Sequence, residues 1–111
     1  MRDKLFFYNN NIEWKNLGDG LKRKIFGHDD NIMMVKIHFE KGSIGYEHSH
    51  VHSQTTYVQS GVFDVTIDGN TQTLKEGDSF FVPSNLKHGV VNIEEGILVD
   101  VFSPRRDDFL E

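Results

Sequence analysis

Histidines stand at alternate positions, His48, His50 and His52, and Gln54 continues the series. Side chains two apart on an extended chain point to the same face. The segment is therefore expected to be a strand that gathers three imidazoles and an amide on one side. Donors of that kind around a common point suit a divalent first-row metal. The same pattern also fits a polar strand with solvent-facing histidines. A metal site needs a donor from a second, distant segment, and His88 is the candidate.

The surroundings of these residues are framed by glycines. Gly42 precedes His48 and Gly61 follows Gln54; downstream the chain reads Gly77-Asp-Ser-Phe-Phe-Val-Pro83-Ser-Asn85-Leu-Lys-His88-Gly-Val-Val-Asn92. The two segments resemble the motifs of the cupin family. The first of these runs from a glycine through His-x-His and an acid to a second glycine. The second runs from a glycine through Pro-x-Gly and a histidine to an asparagine. All fixed positions match except two: Gln54 replaces the acid and Asn85 replaces the inner glycine. Asparagine tolerates a left-handed backbone better than other non-glycine residues, so the turn at Asn85 is expected to survive. Gln54 matters more, because a neutral amide leaves a bound cation its full charge, which favours Lewis acidity and docking of an anion. The resemblance implies an all-β fold, the double-stranded β-helix or cupin jelly-roll barrel. It forms a single domain over residues 1–111, with motifs at 42–61 and 77–92.

Hydrophobic patterning agrees with an all-β chain. Ile32 to Glu40 alternates, with Val35, Ile37 and Phe39 on one face and Lys36, His38 and Glu40 on the other. His38 reads as a solvated strand residue and His28 as a loop residue. Val62 to Asp68 alternates again; Asp68-Gly69 is a hairpin signal returning through Thr71 to Lys75. Gly77-Asp78 turns into a strand from Ser79 to Val82, which Pro83 stops, and Gly89 to Ile93 and Ile97 to Ser103 read as two further strands. Asn11 to Leu17 is expected to make a short N-terminal turn with Trp14 as its packing anchor.

With 111 residues the chain has room for one modest core. It has no cysteine, which excludes disulfides, thiolate ligands and a cysteine nucleophile; the cytoplasm is the natural reading. The apolar run in Met1 to Tyr8 is too short for a signal peptide, and none approaches the roughly 20 residues of a membrane helix. A net charge of −5 without a basic stripe argues against nucleic-acid binding. An exposed sheet edge needs protection, and a homodimer is the expected assembly.

A second group of candidates closes the chain. In Ile97-Leu-Val-Asp-Val-Phe-Ser103, alternation puts Leu98, Asp100 and Phe102 on one face of a largely apolar strand. Burial raises a carboxyl pKa toward values useful for proton transfer; a structural ion pair with Arg105 or Arg106 is the alternative. Either arginine could instead clamp a carboxylate or be solvated. Together with Arg23-Lys-Ile25, Phe39-Glu-Lys-Gly42, His48-Ser-His-x-His52, Tyr57-Val58, Trp14 and Asp108-Phe-Leu110, these residues resemble the small cupins of pectin and alginate breakdown, the KdgF type. That resemblance implies an enzyme that ketonises 4,5-unsaturated monouronates to linear 4-deoxy-5-keto uronates. It further implies one divalent transition metal, Zn, Ni, Mn or Fe, on His48, His50, Gln54 and His88. Functional roles for Asp100, Phe102 and Arg106 follow from it too. Arg105 is the other candidate for the substrate carboxylate; His52 is the weaker ligand candidate, expected behind the ligands or at the cavity rim, where it would contact substrate. Two rival classes remain on the same framework: another metal-dependent cupin enzyme, a dioxygenase or sugar isomerase, and a non-catalytic module that binds sugar acids.

Overall fold

Short, glycine-marked turns let neighbouring segments return antiparallel, and every strand pairing among the described residues is antiparallel. The computed structural model describes residues 4–111. Its strands are β1 (Lys15–Gly18), β2 (Leu21–His28), β3 (Met33–Phe39), β4 (Ile44–His48), β5 (Ser53–Ile67), β6 (Asn70–Lys75), β7 (Ser79–Val82) and β8 (His88–Ser103). Two short 3-10 turns, Asn9–Asn11 and Asp107–Leu110, flank them. Among the described residues no helix is long and apolar enough to cross a membrane. The Asp68-Gly69 hairpin forms as expected: both residues have positive φ (49° and 81°), the geometry that matches the twist of the strands it joins.

β5 and β8 organise the rest. They pair with each other from Ser53–Ser103 to Ile67–His88, and each serves two layers. The other side of β5 carries β7 over Gln54–Tyr57 and β6 over Val62–Ile67. The other side of β8 carries β4 at its start and β3 over Gly96–Phe102. One layer therefore runs β1-β2-β3-β8-β5-β7 and the second β4-β8-β5-β6, folded over a shared pair of strands as a jelly-roll barrel. The fold-over lies where the β5–β8 register slips, between Val58 and Phe63. Here Gly61 and Gly96 cross at a distance that excludes side chains. A Cβ on Gly96 would overlap the Ser60 carbonyl oxygen, and one on Gly61 would sit 2.6 Å from the Glu94 oxygen. β8 thus replaces the two strands expected from sequence, because Gly96 bends the ladder without ending it.

Alternation turns Gln54, Thr56 and Val58 of β5, and Leu98, Asp100 and Phe102 of β8, into the interior. The main core is Phe39, Val58, Phe63, Val65 and Leu98, with Phe39 and Phe63 edge-to-face at 5.2 Å. A smaller cluster of Met33, Val35 and Phe102 lies under the C-terminal turn and packs against Phe109. Trp14 is a packing anchor, as expected: it meets His38 edge-on at 6.0 Å, with the Lys24 ammonium 4.7 Å from its ring. His38 departs from its reading as a solvated residue. It is half-buried, and its Nε2 lies 2.9 Å from Glu95 Oε2.

Candidate active site and metal centre

Strand register assembles the site. Thr56 of β5 lies directly opposite Asp100 of β8, and Gln54 opposite Phe102. On the other flank of β8, Val35 faces Asp100. In the second layer His48 of β4 lies opposite His88 of β8. The histidine series is not a single strand, however. The chain leaves β4 at His48 and enters β5 at Ser53, so His50 and His52 belong to the connection between them. That connection is tied to the second motif by the Asn85 N–H, which donates to the His50 carbonyl at 2.8 Å. Asn85 adopts φ 69°, the left-handed turn expected of it. His48, His50 and His88 nonetheless converge, with candidate ligand atoms all within 4.8 Å of one another.

The hydrogen bonds settle which ring nitrogens face inward. Nδ1 of His48, His50 and His88 each lies against a backbone carbonyl, of Tyr46 (2.9 Å), His52 (2.9 Å) and Leu86 (3.0 Å). A carbonyl only accepts, so each Nδ1 carries the proton and each Nε2 presents a lone pair. Burial lowers the pKa of His50 and of His88, which keeps both neutral, as metal ligation requires. Nε2 of His88 is buried without a hydrogen-bond partner. Gln54 is oriented just as firmly. Its Nε2 donates to Thr56 Oγ1 (2.9 Å) and Asp100 Oδ1 (3.3 Å), which leaves Oε1 facing His50 Nε2 at 3.2 Å. Two acceptors that close repel each other unless a cation sits beside them. Three Nε2 lone pairs, that of His88 orphaned, and an amide oxygen together fit a divalent ion. Carbonyl acceptors behind the imidazoles are the usual support for such ligands.

Asp100 is buried beside this set. Thr56 Oγ1 donates to its Oδ1 at 2.6 Å. Burial pushes the carboxyl up to about 6, against the opposing pull of the Thr56 and Gln54 hydrogen bonds. No ion pair to either arginine forms. Arg106 binds Asp108 through Nε (3.0 Å) and Nη2 (2.8 Å), yet it lines the same cavity of about 160 Å³ as His48, His88, Gln54, Asp100 and Phe102. Arg105 turns away, pairing with Asp30 (3.1 Å) and Asp107 (2.7 Å) on the outer surface. His52 also stays outside the cavity, with its Nε2 donating to the Arg105 carbonyl at 3.1 Å. Sequence reasoning missed Thr56, the hydroxyl linking Gln54 to Asp100. Its signal was parity: Gln54, Thr56 and Val58 share one strand face. It also assigned no role to Phe109, which lines the cavity beside Arg106.

The cupin domain family model matches residues 35–102, which spans both motifs and β8. The chain is a cupin. Within the cupins it belongs with KdgF: it is 49% identical over 107 residues to the pectin degradation protein KdgF of Dickeya dadantii, covering 95% of this chain and 97% of that one. Among solved structures, this cupin superposes on an RmlC-like cupin from Shewanella frigidimarina with a TM-score of 0.94 at 47% identity, covering 96% of each chain. It superposes on KdgF from Halomonas sp. with a TM-score of 0.93 at 38% identity, covering 96% of this chain and 99% of that one. An oxalate decarboxylase of Bacillus subtilis (TM-score 0.81, 21% identity) shares the fold.

Proposed function

We propose that this cupin ketonises 4,5-unsaturated monouronates released from pectin or alginate, opening the ring and yielding linear 4-deoxy-5-keto uronates. The observation that carries this reading is the buried Asp100 carboxyl, raised to about 6, bonded to the same amide that completes the candidate metal set. The overall reaction is an isomerisation. A proton leaves the anomeric oxygen as the C1–O5 bond breaks; a proton reaches C4 as the C5 enol becomes a ketone. A group with a pKa near neutrality is suited to both transfers, and we assign them to Asp100. Arg106 would pair with the uronate carboxylate. Phe102, buried and edge-on to His50 at 5.9 Å, would wall the sugar. His48, His50, Gln54 and His88 would hold a divalent transition ion, whose contribution when bound is electrostatic stabilisation of enolate charge. No redox change is involved, so Zn, Ni, Mn and Fe all qualify.

The test mixes metal-loaded protein with unsaturated monouronate freshly released by a lyase. Loss of the conjugated C=C absorbance is followed against spontaneous decay, and NMR identifies the product. Accelerated loss that chelation abolishes is the expected result; a rate equal to the spontaneous one with metal bound would remove the proposal. In this reading the working unit is the whole chain as a homodimer. Its support is the outer face of the β3-β8-β5-β7 layer, where Met34 (41%), Tyr57 (50%) and Phe81 (58%) stand exposed on neighbouring strands. Sedimentation should give twice the chain mass, falling to one chain mass in Tyr57→Asp/Phe81→Asp. A monomeric parent protein excludes the assembly.

A further inference from the structure

The C-terminal turn contributes a group that neither cupin motif covers. Arg106 has one edge of its guanidinium occupied by Asp108, through Nε and Nη2. Hydrogen bonding to Arg106 holds the Asp108 carboxyl below the usual carboxylate range. The guanidinium carbon of Arg106 lies 4.3 Å from the ring centre of Phe109 and 5.2 Å from that of Phe102, over both rings. The two rings meet edge-on at 5.6 Å. A second cation braces Phe109: the buried Arg23 lies 4.2 Å from the same ring, and its Nη2 donates to the Phe109 carbonyl at 3.4 Å. Two guanidiniums thus press on one ring, a costly arrangement unless the π face and Asp108 hold both in place. Unstacked, a side chain as long as Arg106 samples many rotamers and loses the benefit of its rigid fork.

We propose that Phe109, braced by Arg23, is a positioning and specificity-determining residue. It fixes Arg106 with its unclipped Nη1 edge toward the cavity, so that the site selects acid sugars over neutral ones. The inference deepens the reading of Arg106 as the carboxylate partner and rests on it. Phe109 itself lines the cavity beside Arg106; Arg23 acts only through it.

The experiment uses the metal-loaded full chain and two non-reacting probes, glucuronate and glucose, whose dissociation constants are measured by titration NMR. The unsaturated monouronate supplies KM and kcat. Phe109→Ala should weaken glucuronate binding by about tenfold or more, the scale of one lost charge-assisted contact. It should raise KM in parallel while metal affinity and kcat hold. Phe109→Tyr should restore both values, and Arg23→Lys should lie between. In an Arg106→Gln background, Phe109→Ala should have almost no further effect on acid preference, because the two residues form one unit. Should Phe109→Ala fold poorly, Phe109→Leu keeps the apolar bulk without the π face and is read the same way. Undiminished acid preference in Phe109→Leu, additive losses with Arg106→Gln, or a parent protein that binds glucuronate no better than glucose would each overturn the inference. A parent that prefers glucuronate through Arg106 and Phe109 yet does not ketonise would instead remove the proposed reaction and leave this inference standing.

Discussion

Asp100→Asn should slow ketonisation of unsaturated monouronate by about 10² to 10⁴-fold, the range for loss of a positioned proton-transfer group. The same change should stabilise the metal-free protein above pH 6. The sign follows from burial. The carboxyl pKa is raised from 3.8 to about 6 in the folded chain, so between those values the folded state holds a proton that the unfolded state releases. Stability on this account falls as pH rises through that window and levels off above it. The full difference amounts to about 3 kcal/mol. An asparagine removes that cost but brings a buried amide without an assigned acceptor, worth about 1 to 2 kcal/mol in the other direction. A net gain of about 1 to 2 kcal/mol at pH 8, turning into a net loss of about 1 kcal/mol at pH 4 because the amide penalty remains when the carboxylate cost is gone, is the expected outcome of urea titrations in the presence of chelator. An equal difference at both pH values would mean that the carboxyl is not titrating in this window. Undiminished turnover would remove Asp100 from the reaction.

The second large effect concerns the histidines. The unpartnered His88 Nε2 and the facing acceptors on His50 and Gln54 are mutually unfavourable contacts that an ion would relieve. Stripping the protein with chelator and restoring a divalent transition ion at a hundredfold excess over its dissociation constant should add about 2.7 kcal/mol. For a domain of this size that raises the melting temperature by roughly 10 °C or more. His88→Ala should abolish the ion-dependent shift together with catalysis. His52→Ala should leave the shift intact, because His52 is turned toward the Arg105 carbonyl. An ion-dependent shift retained in His88→Ala would remove that residue from the ligand set. The shift should fade in acid as His50 and His88 protonate, and for these two that lies below the ordinary histidine range because burial lowers their pKa values.

The features legible in sequence share a physical reason: each depends on a local backbone requirement or on strand parity. Asn85 can take the left-handed turn, Asp68-Gly69 can make the hairpin, and Leu98, Asp100 and Phe102 must share a face. The misread features depend on longer-range contacts. Ser49 to His52 contains no glycine or proline, so nothing local marks the turn that separates β4 from β5. Alternating histidines imitate a strand there while the Asn85 hydrogen bond holds the bend. Gly96 looks like a strand break because its function, allowing Ser60 to approach, is invisible without the partner strand. Arg105 and Arg106 are neighbours with equal propensities, and only the positions of Asp30, Asp107 and Asp108 separate their directions. His38 acquires its partner, Glu95, from a strand far along the chain.

β8 carries His88 near its beginning and Asp100 and Phe102 near its end. It therefore fixes the spacing between a candidate ion ligand and the carboxyl proposed to move the proton. Adding or deleting one residue between them would invert one end relative to the other, because side chains alternate faces. Such a length change would destroy the chemistry even if the barrel closed. β8 should accordingly accept substitutions at its outward positions but no change of length.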